Sequence, residues 1–319
     1  MDKKELRIVF MGTPEFAVGT LKALVEGEYN VVAVVTQPDK PVGRHGSVLR
    51  ASAVKEYAIE HGIDVLQPEK MKDETFLEQL RSYNADLQVV VAFRMLPEVV
   101  WAMPRFGTFN VHAALLPQYR GAAPINWAII NGEKKTGVTT FFLDHDVDTG
   151  RIILQYPFDI PCDANVEYVY DGLMELGAKA AVNTVDMILA GDGIVDSMPQ
   201  EQLICNNEEL KNAPKIFKET CKIDWTKTSK EIYDFVRGLS PIPGAWGVIT
   251  MSDETEMEIK IYKCGEIVEK IEDVDLGKVV KIKKKMFVAC NDGMLEIIHL
   301  QPCGKKKMDA LSFVNGYLN

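Results

Sequence analysis

Residues 6–25 read LRIVFMGTPEFAVGTLKALV, an apolar run followed by a turn and then by apolar positions at helical spacing. The same order of strand and helix recurs through the first half of the chain. Further strands are predicted at residues 31–36, 87–92, 108–111 and 138–143, and helices at 52–61, 74–83 and 165–190. Continuous apolar runs such as Val89-Val90-Val91 are typical of strands buried on both faces. We therefore predict an α/β fold with a doubly wound, mostly parallel sheet.

The sequence pattern changes after residue 191. Residues 192–222 show no clear periodicity and are predicted to form a linker. A helical pattern at 229–239 then leads into short alternating runs at 258–262, 278–282, 286–289 and 295–300, which is typical of a small β-barrel. The prediction is a first domain over residues 1–191, a linker over 192–222 and a β-barrel domain over 223–319.

Charge is distributed unevenly along the chain. The 319 residues include 36 Lys and Arg and 46 Asp and Glu, a net charge of −10, which by itself argues against a nucleic-acid partner. Residues 1–209 hold 18 basic and 30 acidic residues, whereas residues 210–319 hold 18 basic and 16 acidic residues. The second part of the chain is therefore the one that can contact a polyanion.

No pattern for export, membrane insertion or metal binding is found. The apolar run Ile8-Val9-Phe10-Met11 is shorter than that of a signal peptide, and no stretch approaches the roughly 18 apolar residues of a membrane span. The six cysteines are scattered, without the close pairs of zinc or redox sites. We expect a cytoplasmic protein with no membrane partner and no metal.

The turn after the first strand limits the class of cofactor. A dinucleotide-binding turn has three glycines, and only Gly12 is present between the strand and Pro14. Hydride transfer is therefore disfavoured, and a plain strand-to-helix turn is the simpler interpretation.

Asn110 and His112 are the first candidates for chemistry. They are two residues apart on a predicted strand, so their side chains point from the same face. The carboxyl edge of a parallel sheet is where open α/β folds bind ligands. A single buried His or Asn is usually structural, but this pair precedes a loop with Pro117 and Gly121, which favours a functional role.

A second polar cluster, DHDVDTG at residues 144–150, follows the last strand predicted in this sheet. Its three aspartates have the spacing of a calcium loop, but Thr149 replaces the glycine of the sixth position and Gln155 the glutamate of the twelfth. The first two aspartates are interpreted as parts of a solvated turn. Asp148 differs because the Thr-Gly turn after it can hold its carboxylate beside His112, where it would orient the imidazole.

An amide, an imidazole and a carboxylate without a neighbouring Ser or Cys nucleophile suit acyl transfer between two bound substrates. The amide and the imidazolium can stabilise a tetrahedral oxyanion. We therefore predict a catalytic trio of Asn110, His112 and Asp148.

Five stretches of the chain together resemble the bacterial methionyl-tRNA formyltransferase family. They are GTPEF at 12–16, TQPDKPVGR at 36–44, NVHAALLPQYRGAAPI at 110–125, LSPIPGA at 239–245 and QPCGKKKM at 301–308. These matches span nearly the whole chain and are jointly specific. Members of this family transfer the formyl group of 10-formyltetrahydrofolate to the amino group of methionine on initiator tRNA.

The resemblance implies roles for individual residues. Asn110 and protonated His112 stabilise the oxyanion, while Asp148 orients His112 and assists proton transfer from the attacking amine. The folate lies along Leu115, Leu116, Pro117 and Gln118. The backbone of residues 93–97 and 144–148 holds its pterin ring.

A tRNA partner requires locally placed positive charge. Two lysine clusters are candidates: Lys281, Lys283, Lys284 and Lys285 in one, and Lys305, Lys306 and Lys307 in the other. On a strand, Lys281, Lys283 and Lys285 would share one face. A lysine run is usually only a solvated surface, but the resemblance favours phosphate contacts on a domain similar to an oligonucleotide-binding barrel. It also implies that Arg44 enters the acceptor end of tRNA.

Two alternatives stay open at this point. A related formyltransferase uses the same folate donor but acts on an amino sugar or in folate turnover. Extra fused catalytic domains would support it, whereas the two lysine clusters favour tRNA. A folate- or RNA-binding module without catalysis is disfavoured because the acid-base trio is complete. We expect a monomer in either case.

Overall fold

The structure is a computed structural model, and it describes residues 1–42, 48–204 and 209–317. The chain forms two compact units that interleave along the sequence. The first unit comprises residues 1–121, 136–158 and 170–212, and the second comprises residues 122–135, 159–169 and 213–319.

The elements of the first 190 residues alternate between strands and helices. They are β1 (Ile8–Gly12), α1 (Glu15–Glu26), β2 (Val31–Val35), β3 (Lys40–Val42), β4 (Val48–Arg50), α2 (Ala53–Glu60), β5 (Asp64–Leu66), α3 (Glu74–Ser82), β6 (Leu87–Val91), α4 (Glu98–Trp101), β7 (Thr108–His112), β8 (Arg120–Gly121), α5 (Pro124–Ile130), β9 (Lys135–Phe142), β10 (Ile152–Asp159) and α6 (Val166–Ala190).

The remaining elements are mostly strands. They are β11 (Asn212–Ala213), α7 (Ser229–Leu239), β12 (Ala245–Thr250), β13 (Glu256–Glu269), β14 (Val279–Ile282), β15 (Lys285–Ala289), β16 (Gly293–Pro302), β17 (Met308–Asp309) and α8 (Ala310–Tyr317), with 3-10 turns at Gln200–Leu203 and Glu219–Cys221.

The first unit contains a seven-stranded sheet in the order β10-β9-β7-β6-β1-β2-β5. Five neighbouring strands of this sheet, β7, β6, β1, β2 and β5, are parallel, and β9 is antiparallel to β7. Strand order reverses at β1, because β2 and β5 lie on one side and β6 and β7 on the other. In open α/β sheets ligands usually bind at the carboxyl ends of the strands where the order reverses, which here are β1 and β6. The predicted fold class is confirmed.

Local signals explain where the first helices begin. The Ser52 hydroxyl accepts a hydrogen bond from the Lys55 N–H at the start of α2, and Asp73 caps α3 through the Phe76 N–H. These bonds satisfy N–H groups that have no partner within the helix. The apolar face of α3 then packs on β1, β2 and β6, so the sheet and this helix share one core.

The second unit is an antiparallel sheet in the order β12-β13-β16-β15-β14, with β17 added to β16. A bridge between Thr250 and Lys278 joins the two edge strands, and the Thr250 N–H donates to the Gly277 carbonyl at 3.0 Å. The sheet therefore closes into a small barrel, as the sequence predicted.

Helix α7 fills one side of this barrel. It begins with a capping box in which Thr228 and Glu231 exchange hydrogen bonds. Ile232, Val236 and Leu239 on its inner face are at most 2% exposed and pack on the barrel strands. The sequential boundaries at 191 and 222 remain a prediction, since the compact units do not follow the chain in order.

Candidate active site

Asn110 and His112 lie in the last half of β7, between β6 and β9. Their spacing places both side chains on one face of the sheet. His112 is only 6% exposed, whereas Asn110 is half-buried. Within the described residues the Asn110 amide has no hydrogen-bond partner, so it is available to a bound group.

Both ring nitrogens of His112 face acceptors. The Nε2–H donates to the Tyr119 carbonyl at 2.9 Å, because a carbonyl oxygen can only accept. The Nδ1 atom lies 3.8 Å from the Asp148 Oδ2 atom. These two contacts fix the plane of the imidazole and place a carboxylate beside it.

Asp148 lies in a loop outside the sheet, and a backbone N–H group holds its carboxylate. Its φ of 55° is in the left-handed region, and its Oδ2 atom accepts a hydrogen bond from the Gly121 N–H at 3.0 Å. Its Oδ1 atom has no hydrogen bond to the described part of the chain. Asp148 therefore has one anchored oxygen and one oxygen free for proton transfer.

The loop that carries Asp148 folds back over the sheet. Phe142 at the end of β9 pairs with Phe109, whereas His112 pairs with Thr139 further back along β9. After this loop Gly150 lies against the Phe142 carbonyl, where a Cβ atom would stand 1.6 Å from that oxygen, so a side chain at position 150 does not fit. Asp144 and Asp146 on the same loop are exposed, as expected for a solvated turn.

Gln200 ties this loop to the residues after β7, and sequence reasoning missed it. Its Nε2 donates to the Asp148 carbonyl at 2.8 Å and to the Gly150 carbonyl at 2.9 Å. Its Oε1 accepts from the Arg120 guanidinium at 2.7 and 3.1 Å. Gln200 is completely buried although it lies in the stretch predicted to be a linker. Nothing in its sequence neighbourhood signals this role.

The predicted folate loop is held at its backbone. The Thr139 hydroxyl donates to the Ala114 carbonyl at 2.7 Å and accepts from the Leu116 N–H at 3.1 Å. Gln155, the residue at the twelfth position of the rejected calcium loop, donates to the Leu116 carbonyl at 2.8 Å. This loop is thus fixed in place before any ligand arrives.

The four residues predicted to line the folate differ in exposure. Leu116 and Pro117 are buried, and the Leu116 side chain packs on Phe141 and Ile152. Leu115 is half-buried over Gly137, and the Gln118 Oε1 accepts from the Lys211 N–H at 2.8 Å. The side chains of Leu116 and Pro117 therefore offer little surface to a ligand.

Two polar groups at the carboxyl ends of β1 and β6 were also missed. The Thr13 hydroxyl and the Arg94 Nε atom are buried without a hydrogen-bond partner among the described residues. Arg94 lies in the 93–97 stretch, where its Nη1 donates to the Glu69 carbonyl at 2.9 Å. Burial lowers the pKa of the Arg94 guanidinium. Buried donors without partners mark a place that a polar ligand can complete.

The first lysine cluster forms a hairpin, so the prediction that Lys281, Lys283 and Lys285 share one face is wrong. Strand β14 ends at Ile282, which pairs with Lys285, while Lys281 pairs with Met286. Paired residues point to the same side, and successive residues alternate, so Lys281 and Lys285 point to opposite sides. Lys283, with φ 58°, and Lys284 form the turn. A two-residue turn replaced the continuous strand that the prediction assumed.

The lysines differ in their partners. Lys285 is paired with Glu266 at 2.8 Å and with Glu296 at 3.2 Å, which raises its pKa. Lys305, Lys306 and Lys307 are exposed, and the Lys307 ammonium lies 4.7 Å from the centre of the Tyr262 ring. Arg44 lies outside the described residues.

The second unit presents a further basic and aromatic surface that sequence reasoning missed. The Lys218 and Lys222 ammonium groups lie 5.8 and 5.7 Å from the Trp246 ring, and Lys215 lies 5.5 Å from the ring of Phe217, which is 57% exposed. Phe217 is the exposed ring of this pair and Trp246 is half-buried; accessible rings with neighbouring cations are typical of surfaces that bind single-stranded nucleic acid.

The described residues contain neither a metal-binding cluster nor a membrane-spanning helix. Among residues 1–42, 48–204 and 209–317, no three His, Cys, Asp or Glu side chains are grouped so as to hold a metal ion. No helix in that same part of the chain has the length and hydropathy needed to cross a membrane.

Known proteins share both the sequence and the fold. Residues 6–185 match the family model for formyl transferase, and residues 215–318 match the model for the formyl transferase C-terminal domain. The methionyl-tRNA formyltransferase of Parabacteroides distasonis is 57% identical over 318 residues, which is 99% of this chain and 97% of that protein.

Solved structures are more distant in sequence. HypX from Aquifex aeolicus in complex with tetrahydrofolic acid has a TM-score of 0.63 at 19% identity over 98% of this chain, which spans about half (47%) of that chain. The N-formyltransferase from Helicobacter canadensis in complex with folinic acid and dTDP-3-aminofucose has a TM-score of 0.62 at 20% identity, covering 97% of this chain and 100% of that one. These likenesses show the fold alone.

Proposed function

Because this chain belongs to the formyl transferase family, we propose that Asn110, His112 and Asp148 carry out the formyl transfer in this enzyme. The reaction moves the formyl group of 10-formyltetrahydrofolate to the α-amino group of methionyl initiator tRNA, and formylmethionyl-tRNA is used in translation initiation. These three residues are supported by two observations. The Asn110 amide has no partner among the residues that the structure describes, and the neighbouring imidazole lies beside the Asp148 carboxylate.

The proposed step forms a bond between the methionyl nitrogen and the formyl carbon and breaks the bond from that carbon to N10 of the folate. Negative charge develops on the formyl oxygen, where the free Asn110 amide donates a hydrogen bond. The His112 imidazolium adds positive charge nearby. The amine proton passes to the Oδ1 atom of Asp148, which then gives a proton to N10 as the folate leaves.

The residues present fit the folate that this reaction requires. The backbone at 114–117 is fixed by Thr139 and Gln155, so its groups keep their positions when a planar ring system is bound. The buried Thr13 hydroxyl and Arg94 Nε, at the same edge of the sheet, are donors without partners in the described part of the chain. We propose that residues 115–118 and 93–97 hold the folate.

We propose that tRNA contacts the β-barrel through Lys283, Lys284 and the exposed lysines at 305–307, with further contacts from Lys281 and Lys285. Arg44 is proposed to reach the acceptor end. A monomeric, cytoplasmic enzyme is also proposed. Light scattering during gel filtration tests the monomer, and a mass near twice 35.7 kDa would contradict it.

The decisive experiment is single-turnover formylation with Asn110→Ala. We expect the rate constant to fall at least about a hundredfold, as is usual when an oxyanion donor is removed. Affinity for both substrates should change little, because the lost bond forms in the transition state. The matched control is Asn183→Ala, which removes a half-buried amide that donates to the Tyr156 hydroxyl and lies outside the proposed site.

The same assay separates the competing substrates. Formylmethionyl-tRNA should form from methionyl initiator tRNA, and a nucleotide-linked amino sugar should give no product. An unchanged rate in Asn110→Ala would show that the oxyanion is stabilised by other residues. Formylation of the amino sugar without formylation of tRNA would overturn the substrate assignment.

A further inference from the structure

The second unit contains a cavity of about 540 Å³ between α7, the middle of β13 and the segment before α6. Its lining includes Asp163, Tyr168, Tyr233, Arg237, Tyr262 and Lys263. All of these residues belong to the second unit, whereas the catalytic trio belongs to the first. None of them is among the lysines proposed to contact tRNA.

Arg237 is a buried cation, and one nitrogen of its guanidinium makes no hydrogen bond within the described residues. Its side chain is 9% exposed, its Nε donates to Asp234 Oδ1 at 2.7 Å and its Nη1 donates to the Ala164 carbonyl at 2.9 Å. Its Nη2 has no hydrogen bond to any group in the described ranges. Asp234 is also bonded to the Lys230 ammonium, so two cations share one carboxylate. The lining holds two cations, Arg237 and Lys263, and one carboxylate, Asp163, so its charge is positive by one, and the free N–H groups of Arg237 favour an anion.

The same cavity is lined by three tyrosines. Tyr168 is 54% exposed at its rim, while Tyr233 and Tyr262 are half-buried. Burial raises the pKa of the Tyr233 hydroxyl, so it stays a neutral hydrogen-bond donor at pH 7. The Lys230 ammonium lies 5.7 Å from the Tyr233 ring, and the Lys307 ammonium lies 4.7 Å from the Tyr262 ring. Aromatic rings and cations therefore occur together.

We propose that this cavity binds a single nucleotide, with its base against the tyrosine rings and its phosphate at Arg237 Nη2 and the exposed Lys263. Stacking on an aromatic side chain contributes about 1–3 kcal/mol per base and tolerates any base. A guanidinium matches the oxygens of a phosphate in spacing and charge. The cavity volume lies within the range of about 300–1,000 Å³ that is usual for small-ligand sites.

The nucleotide has two sources, a residue of the bound tRNA or a free mononucleotide. Both offer the same base and phosphate. The proposal depends only on residues of the second unit, so its test is independent of the test of the catalytic residues.

Isothermal titration of the full-length enzyme with AMP, CMP, GMP and UMP tests the proposal. We expect at least one of them to bind with 1:1 stoichiometry and a Kd below about 1 mM, and inorganic phosphate to bind at least tenfold more weakly. Tyr168→Ala and Lys263→Ala should each weaken binding at least about tenfold. Both side chains are exposed, so these variants should fold. Lys270→Ala, an exposed lysine of the same unit outside the cavity, is the control.

The fluorescence of a Tyr168→Trp variant can show whether a bound mononucleotide leaves the cavity when tRNA binds, and so distinguishes the two sources. Displacement of a bound mononucleotide by tRNA would show that a nucleotide of tRNA enters the cavity, and retention would show that the site serves a free nucleotide. The proposal is overturned if none of the four mononucleotides binds the unaltered enzyme, or if both alanine variants bind as tightly as it does. Formyl transfer by the same variants, measured in parallel, keeps this outcome distinct from a failure of the catalytic assignment.

Discussion

Gln200 offers the sharpest test of how the loop with Asp148 is positioned. Gln200→Leu keeps the approximate volume of a completely buried side chain and removes four hydrogen bonds. Each bond to a backbone carbonyl contributes about 1 kcal/mol, and the pair from the charged Arg120 together about 1.5–2 kcal/mol. The free energy of unfolding should therefore fall by about 3–4 kcal/mol.

Activity should fall for a separate reason. Without Gln200 the carbonyls of Asp148 and Gly150 lose the donor that holds the left-handed turn, so the carboxylate is no longer fixed beside His112. We expect kcat for formyl transfer to drop at least about tenfold while KM for both substrates stays within about threefold. Steady-state kinetics and urea denaturation measure the two effects independently.

Two further variants test the loop contacts and the background. Gln200→Glu keeps the acceptor for Arg120 but sets a buried carboxylate oxygen against the Asp148 and Gly150 carbonyls, so kcat should stay low and stability should not recover. Gln79→Leu, on the exposed side of α3, is the matched control and should alter neither quantity. Full activity in Gln200→Leu, in protein that remains folded, would refute the idea that this residue positions Asp148.

Three more predictions follow from individual contacts. Gly150→Ala should lower the free energy of unfolding by about 3 kcal/mol and abolish most activity, because its Cβ would stand 1.6 Å from the Phe142 carbonyl; thermal melting and kinetics test this. Replacing Lys283 and Lys284 together by Gln should weaken tRNA binding and reduce its log–log salt slope by about 1 to 2, with folate affinity unchanged; an identical slope would mean that the turn is only a solvated surface. Asp292→Asn should lower the free energy of unfolding at pH 7 by less than about 1 kcal/mol, because solvent screens this exposed carboxylate, and should change it little at pH 2 in urea titrations. The Ser229 N–H and hydroxyl lower the Asp292 pKa, so its contribution is complete above the unfolded pKa of about 4 and is lost as the pH falls through the folded value.

The regular elements were largely predictable because their signals are local. The predicted helix at 229–239 coincides with α7, whose capping box is visible in the sequence as Thr228 and Glu231. The parallel strands β1, β2, β6 and β7 were predicted within two residues. Strand β10 and helix α5 were missed, because β10 has polar and aromatic residues without strict alternation and α5 is only seven residues long.

The three proposed catalytic residues could be predicted from the sequence, but the residues that hold them in place could not. Asn110 and His112 could be paired from the period of a strand, and the Thr-Gly turn distinguished Asp148 from its neighbouring aspartates. The prediction that the first lysine cluster lies on one continuous strand was wrong, because the turn at Lys283 contains no Gly, Asn or Pro, the residues that usually indicate a turn.

The sequence by itself determined the fold class, the family and the three residues proposed for catalysis, since apolar periodicity and motif spacing are properties of short stretches of chain. Only the tertiary structure decided what holds those residues in place. The return of the loop after β9, the Gln200 contacts 52 residues from Asp148 and the tyrosine-lined cavity join stretches that are distant in the sequence. Such contacts depend on three-dimensional packing, and no local pattern of residues specifies them.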